Sequence, residues 1–310
     1  FQSYLIPQNH KMPLEAMRLI VICGPTASGK SDLAIAIAKE VDGEIVNADT
    51  MSLYRNMNIG TAKVMPDERQ GIAHHMIDVL DPSEDANVAW FQREARKVID
   101  DIMARGKTPI LVGGTGLYIK AVVDEMNFPE TNPEVRDRLN AEAEQIGKEA
   151  MYKRLQELDP AAAIAIDSQN LRRVIRALEV IEITGKPYTA NLPQEGATYY
   201  PNSTWIGLDV PREVVDERIK ARAMKMFEDG LIEEVRDLVI DGLMSGTTAR
   251  LGHGYAQIIE WQMGLNADPI KETIIVTRQY ARRQETWFKR EKRINWISAP
   301  FLPKALELLK

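Results

Sequence analysis

The chain is predicted to fold as an α/β protein, a parallel β-sheet flanked by helices and interrupted by a helical insertion. Three observations carry this. Short apolar runs alternate with stretches of helical period, the pattern of a parallel sheet covered on both faces. A glycine-containing turn follows the first apolar run and opens a helix. Residues 132–191 then lose all strand character and read as helix alone.

In chain order, residues 18–23 are a short apolar run that reads as the first strand, and Lys30–Glu40 is a helix rich in alanine with apolar residues at Leu33, Ile37 and Val41. Glu44–Asp49 is a second strand ending on a carboxylate. Val88–Arg105 is helical and closes at Gly106, where the left-handed conformation of a helix stop is accessible. Thr108–Val112 is a third strand running into Gly113-Gly114-Thr115-Gly116. All three strands deliver polar loops to the carboxyl end of the sheet, where ligands bind in such folds. In the insertion, Leu171, Val174, Ile175 and Leu178 form an apolar stripe with Arg172, Arg173 and Arg176 around it. Thr204–Asp209 resumes the sheet, and 211–294 reads as mostly long helices. The expected organisation is a catalytic core of 18–131 and 192–310 around the 132–191 insertion.

With 310 residues, 45% of them hydrophobic and 27% charged, the chain has the composition of a globular protein with room for one large or two modest cores. No apolar run approaches the roughly 18 residues of a membrane-spanning helix, and the Tyr4-Leu5-Ile6 patch is cut short by Pro7. A cytoplasmic protein with no membrane association is expected. The single cysteine, Cys23, excludes an intrachain disulfide and a multi-cysteine zinc site, and its place at the end of an apolar strand reads as a core thiol. His74-His75 reads as structural, because adjacent residues rarely face one ion. Net charge is -6, yet Arg278, Arg282, Arg283, Lys289, Arg290, Lys292 and Arg293 crowd one C-terminal segment. Binding to nucleic acid depends on such local charge more than on the total. Trp287, Phe288 and Trp296 in the same region read as core, with the arginines facing outward.

The strongest chemical signal is Gly24-Pro25-Thr26-Ala27-Ser28-Gly29-Lys30-Ser31. The pattern G-x-x-x-x-G-K-[S/T] between a strand and a helix cradles phosphate oxygens with successive backbone N–H groups and the positive end of the helix. This makes the fold P-loop NTPase-like. Lys30 adds a point charge, and the Ser31 hydroxyl is a ligand for magnesium. Nucleotide-hydrolysing P-loops commonly pair the loop with a distal strand that ends in an acidic residue. Here the third strand ends in Gly113-Gly114-Thr115, and the nearest strand-end carboxylate is Asp49. Facing a diphosphate, that carboxylate can hold magnesium through water or serve as a general base.

Several segments resemble the tRNA dimethylallyltransferase family, also called tRNA isopentenyltransferases. They are the P-loop, Asn47–Tyr54, Met57–Lys63, His74–Asp78, Val112–Tyr118, Arg172–Val180, Gly254-Tyr255 and Thr277–Gln284 through Trp287-Phe288. The resemblance spans about residues 18–297. It implies transfer of a dimethylallyl group from dimethylallyl diphosphate to N6 of the adenosine 3′ to the anticodon of tRNA, with diphosphate released and Mg2+ as cofactor. The implied catalytic residues are Asp49 as base, Thr26 near the reacting centre, and Lys30 and Arg222 on the diphosphate. The implied tRNA contacts are Asp49, Thr50, Met51, Ser52, Thr115, Arg136, Arg172, Arg173, Val174, Ile175, Arg176 and Arg250. Ser52 stands where many relatives carry glutamine. A monomer acting on the anticodon stem-loop is expected. The competing classes are a small-molecule kinase on the same loop, a prenyltransferase of free adenine nucleotides, and a non-catalytic RNA-binding module.

Overall fold

The first strand, β1 (Leu19–Cys23), is buried along its whole length and sits inside the sheet. In a computed structural model describing residues 18–191 and 197–310, its alternate residues feed two separate cores. Leu19, Val21 and Cys23 face one, and Ile20 and Ile22 face the other. Period-two alternation with both faces covered is why the strand reads as an unbroken apolar run. The Tyr4–Ile6 patch and residues 192–196 of the expected core lie outside the described residues.

The other strands are β2 (Gly43–Asn47), β3 (His74–His75), β4 (Thr108–Gly113), β5 (Ser203–Leu208) and β6 (Ile294–Ile297). They form one six-stranded sheet in the order β3-β2-β4-β1-β5-β6, with every pairing parallel. Helix α1 (Lys30–Glu40) covers one face through Leu33, Ala34 and Ile37; α2 (Val88–Ala104) and α3 (Gly116–Val123) cover the other. Asn87 starts α2 by accepting a hydrogen bond from the Trp90 amide, and Gly106 follows its end at φ 75°. Cys23 is the buried core thiol expected: burial pushes its pKa up to about 12, which keeps it protonated and inert.

Three features depart from the sequence reading. The second strand stops at Asn47 rather than Asp49, because the Asn47 side chain turns the backbone by bonding both the Asp49 amide and carbonyl. The His74-His75 pair is itself a short edge strand, with His75 bonded to Glu44 at 2.7 Å and the His74 ring to the Ile72 carbonyl. Past the long helices α8 (Arg212–Glu228), α9 (Leu231–Ile240), α10 (Tyr255–Gln262) and α11 (Pro269–Phe288), the chain adds β6 and α12 (Phe301–Leu308). Phe288 is buried in the core as expected. Trp296 is not: it lies at the sheet edge with 38% of its surface exposed.

The chain divides into two compact units, one running to Val123 and resuming at Tyr199–Lys310, the other Asp124–Thr198. The second is built on α4 (Pro133–Ile146), α5 (Lys148–Leu158), α6 (Pro160–Ala165) and α7 (Leu171–Thr184). Its core gathers Leu139, Met151, Leu155, Val174, Ile175 and Leu178. Glu179 is fully buried there, an arrangement that needs compensating partners. It has them: Arg136 and Arg176 bond its carboxylate at 2.8 and 2.9 Å, and the Asn132 amide donates at 2.9 Å.

Candidate active site

At the carboxyl end of β1 the loop Gly24–Lys30 wraps into α1, with Gly29 at φ 98° in the left-handed region. No side chain caps α1, so the first-turn amides remain available to an anion. Ser28 is fully buried and its hydroxyl has no hydrogen-bond partner, a further unused donor within the loop. Lys30 is buried and donates to the Pro25 carbonyl at 2.8 Å. Burial pulls its pKa below the ordinary lysine value, while the Asp49 carboxylate opposes that shift. An anion in the loop would act in the same sense as Asp49 and secure the charge.

Thr26, Lys30, Asp49, Thr50, Met51, Ser52, Thr115 and Arg222 all line one cavity of about 260 Å³. From β2 comes Asp49, at the head of a one-turn helix (Thr50–Leu53); from β4 comes Thr115; from α8 comes Arg222. The Asp49 Oδ1 accepts from the Gly114 amide at 2.6 Å, and the Thr50 and Thr115 hydroxyls meet at 3.3 Å. Arg222 reaches across to the Thr26 hydroxyl at 3.4 Å. The cavity therefore has a polar end of loop, lysine, arginine and carboxylate. Its other wall is apolar, made by Ile219, Ala223, Met226 and Leu251. His253 also lines this wall, packed edge-on to Tyr280 with ring centroids 4.9 Å apart. Burial, aided by Arg283, lowers the His253 pKa to about 4, so the ring is neutral at pH 7.

A second cavity of about 240 Å³ lies by Pro25, Leu208, Arg212 and Trp296. Three of its charged residues pair among themselves, Glu285 with both Arg212 and Lys289, and Asp209 lines it as well. Among the described residues no group of three or more His, Cys, Asp or Glu side chains is placed to hold a metal. Ser31, exposed at the head of α1, and Asp49 are hard oxygen donors of the kind magnesium accepts. Asp49 lines the cavity and Ser31 is not among its lining residues, so each fits an ion only as a single donor, with the other ligands drawn from phosphate and water.

Not every expected site residue has a free side chain. Val174 and Ile175 are consumed by the core of the second unit, so only their backbone or their support of the helix is left for a partner. Ser52 is buried against the first core, 9% exposed. Arg136 and Arg176 are engaged with Glu179, whereas Arg172 and Arg173 on the same helix as Arg176 are exposed. The Arg250 Nε is buried without a partner. Much of the basic C-terminal run is also tied down: Arg278 bonds the Asp216 carbonyl, Lys289 pairs with Glu285, and Arg293 pairs with Glu291 while lying 4.3 Å over the Trp205 ring. Arg282, Arg283, Lys289, Arg290 and Lys292 are exposed, as the outward-facing reading expects, whereas Arg278 and Arg293 are half-buried.

Two residues escape sequence reasoning. Glu234 on α9 accepts from the amides of Asn58, Ile59 and Gly60 and from the Tyr255 hydroxyl, which fixes the loop whose Gly60, Thr61 and Ala62 wall the cavity. Gln284 on α11 bonds both the Thr26 amide and the Gly114 carbonyl. Glu234 stands in no motif, and Gln284 stands in the Thr277–Gln284 segment with no role that the sequence assigns, because each acts on segments far away along the chain.

The parallel sheet, the loop at the end of β1 and the carboxylate at the end of β2 define a P-loop NTPase-like α/β protein. The family model IPP transferase matches residues 52–291. A tRNA dimethylallyltransferase of Kineococcus radiotolerans is 48% identical over 300 residues, covering 94% of each chain. One of Thermobifida fusca is 50% identical over 286 residues, covering 90% of this chain and 89% of its own. Among solved structures, the full-length tRNA isopentenylpyrophosphate transferase of Bacillus halodurans is 37% identical with a TM-score of 0.68, covering 94% of both chains. A eukaryotic dimethylallyltransferase, whose structures are described as snapshots of the enzyme acting on tRNA, is 28% identical with a TM-score of 0.80; the match covers 92% of this chain and 74% of that one. The chain belongs to the IPP transferase family.

Proposed function

We propose that the protein transfers a dimethylallyl group from dimethylallyl diphosphate to N6 of the adenosine 3′ to the anticodon in tRNA, acting as a cytoplasmic monomer. The observation that carries the chemistry is the placement of Asp49 in one cavity with Thr26, Lys30 and Arg222. The diphosphate of the donor occupies the loop, and its five-carbon chain lies along the apolar wall. N6 attacks the allylic carbon, the bond from that carbon to the diphosphate oxygen breaks, and the N6 proton passes to Asp49. An exocyclic adenine amine is a poor nucleophile, so a positioned base and close approach both lower the barrier. Lys30, Arg222 and the loop amides neutralise charge as it builds on the departing diphosphate. Magnesium held by Ser31 and diphosphate oxygens would add positive charge to the same leaving group.

The target adenine leaves its stack to enter such a site. Thr50, Met51, Ser52, Thr115 and Arg250 are proposed to receive the RNA in the first unit, and Arg136, Arg172, Arg173 and Arg176 in the second. Arg172 and Arg173, exposed on α7, act on phosphates, and replacing both with alanine should weaken stem-loop binding and flatten its salt dependence. With two fewer phosphates neutralised, the slope of log K against log salt should fall by about 1.4 to 1.8. An unchanged slope in a filter-binding titration would return both arginines to the solvated surface.

The proposal as a whole is tested by incubating the protein with Mg2+, dimethylallyl diphosphate and an anticodon stem-loop RNA. Nuclease digestion and mass spectrometry should find N6-dimethylallyl adenosine. A free adenine nucleotide prenylated in preference to the RNA would favour a nucleotide prenyltransferase instead.

A further inference from the structure

We propose that Gln284 is the positioning residue that locks the diphosphate loop to the general base. The proposal rests on the assignment of Asp49 as that base. The Gln284 Oε1 accepts from the Thr26 amide at 2.9 Å, and its Nε2 donates to the Gly114 carbonyl at 3.0 Å. Gly114 in turn donates its amide to Asp49 Oδ1 at 2.6 Å. One side-chain amide thus joins the loop after β1 to the loop after β4, and through Gly114 it reaches the carboxylate at the end of β2.

The chemistry of the clamp admits few substitutes. Thr26 N–H needs an acceptor and Gly114 C=O needs a donor, so only one orientation of a primary amide satisfies both. Gln284 is 5% exposed, which makes any unmatched group there costly. Its reach is built into the neighbouring sequence. A Cβ at position 114 would sit 2.2 Å from Gln284 Nε2 and 3.2 Å from Asp49 Oδ1, so only glycine lets the amide and the carboxylate close on the loop together. Tyr280, one turn earlier on α11, lines the same cavity as Gln284 and Thr115.

Positioning to a fraction of an ångström is what separates a bound substrate from a reacting one. The clamp therefore acts on the chemical step rather than on affinity. In single-turnover assays, Gln284→Met should slow prenyl transfer about 30-fold, while KM for the donor and for the RNA stays within about threefold. Gln284→Glu keeps an acceptor for Thr26 but turns an oxygen against the Gly114 carbonyl, and should slow transfer at least as much. Thermal melting of both variants checks that the folded state survives. A wild-type rate in either variant would overturn the proposal. So would a loss matched by equal rises in both KM values or explained by an unfolded fraction, since a merely structural role predicts that pattern. Asp49→Ala in the same assay separates the two assignments. If it turns over normally, the general-base assignment fails, and the clamp with it. If it is inactive while Gln284→Met is normal, only the clamp fails.

Discussion

Asp49→Ala should lower the rate of prenyl transfer by about three orders of magnitude while leaving stem-loop RNA binding within about threefold of wild type. The expected size combines two losses. A positioned general base contributes on the order of 100- to 10,000-fold. The same side chain also accepts the Gly114 amide, so its removal loosens the loop beside the reacting centre. Binding should survive because Asp49 is one of many groups around a partner as large as tRNA, and because its own role is spent in the transition state. Rapid-quench assays at saturating donor and RNA isolate the chemical step. A variant with near-normal turnover would remove Asp49 from the mechanism and leave it the turn residue that its bonds with Asn47 also support.

Lys30→Met should cost about 100- to 1,000-fold in the same step, and unlike Asp49→Ala it should also raise KM for the donor. On the proposed mechanism the lysine would touch the diphosphate in both the bound and the breaking state, so part of its effect should be uniform binding. Methionine keeps most of the buried volume of this side chain, so the fold around α1 is preserved. In the structure Lys30 is turned onto the Pro25 carbonyl, with Asp49 and Arg222 the neighbouring charges. On the proposed mechanism the diphosphate should replace that carbonyl as its partner. Unchanged donor KM, measured by isotope transfer, would place the leaving group elsewhere than on this loop.

The catalytic end of the molecule was legible because its signals are local. Leu19 to Ser31 declares a strand, a glycine-bounded turn and a helix within a few consecutive residues, and the structure has the strand at Leu19–Cys23 and the helix from Lys30, with the turn between them. Asp49 was legible as a strand-end carboxylate for the same reason. What could not be read locally is what tertiary contacts decide. Trp296 shares its strand with buried Ile294 and Ile297, but β6 is a short edge strand and leaves the indole partly in solvent. Val174 and Ile175 sit among arginines in sequence, yet their helix turns them into the core of the second unit. The basic run at Arg278–Arg293 carries charge in sequence that Asp216, Glu285 and Glu291 largely engage in space. The roles of Glu234 and Gln284 were invisible for the opposite reason: Gln284 closes a segment that the family resemblance marks and Glu234 stands in none, but only the folded chain brings the loops each one holds within reach.

The loop after β1 is assigned here to a leaving group rather than to a phosphate donor. The measurement that tests this most directly is the stoichiometry of released diphosphate against prenylated adenosine, with dimethylallyl diphosphate as the only phosphorylated small molecule. One diphosphate should appear for each adenosine modified, and none in the absence of RNA acceptor. Orthophosphate or a phosphorylated product formed from ATP, with no five-carbon unit added to RNA, would contradict the assignment and give the same loop to a kinase.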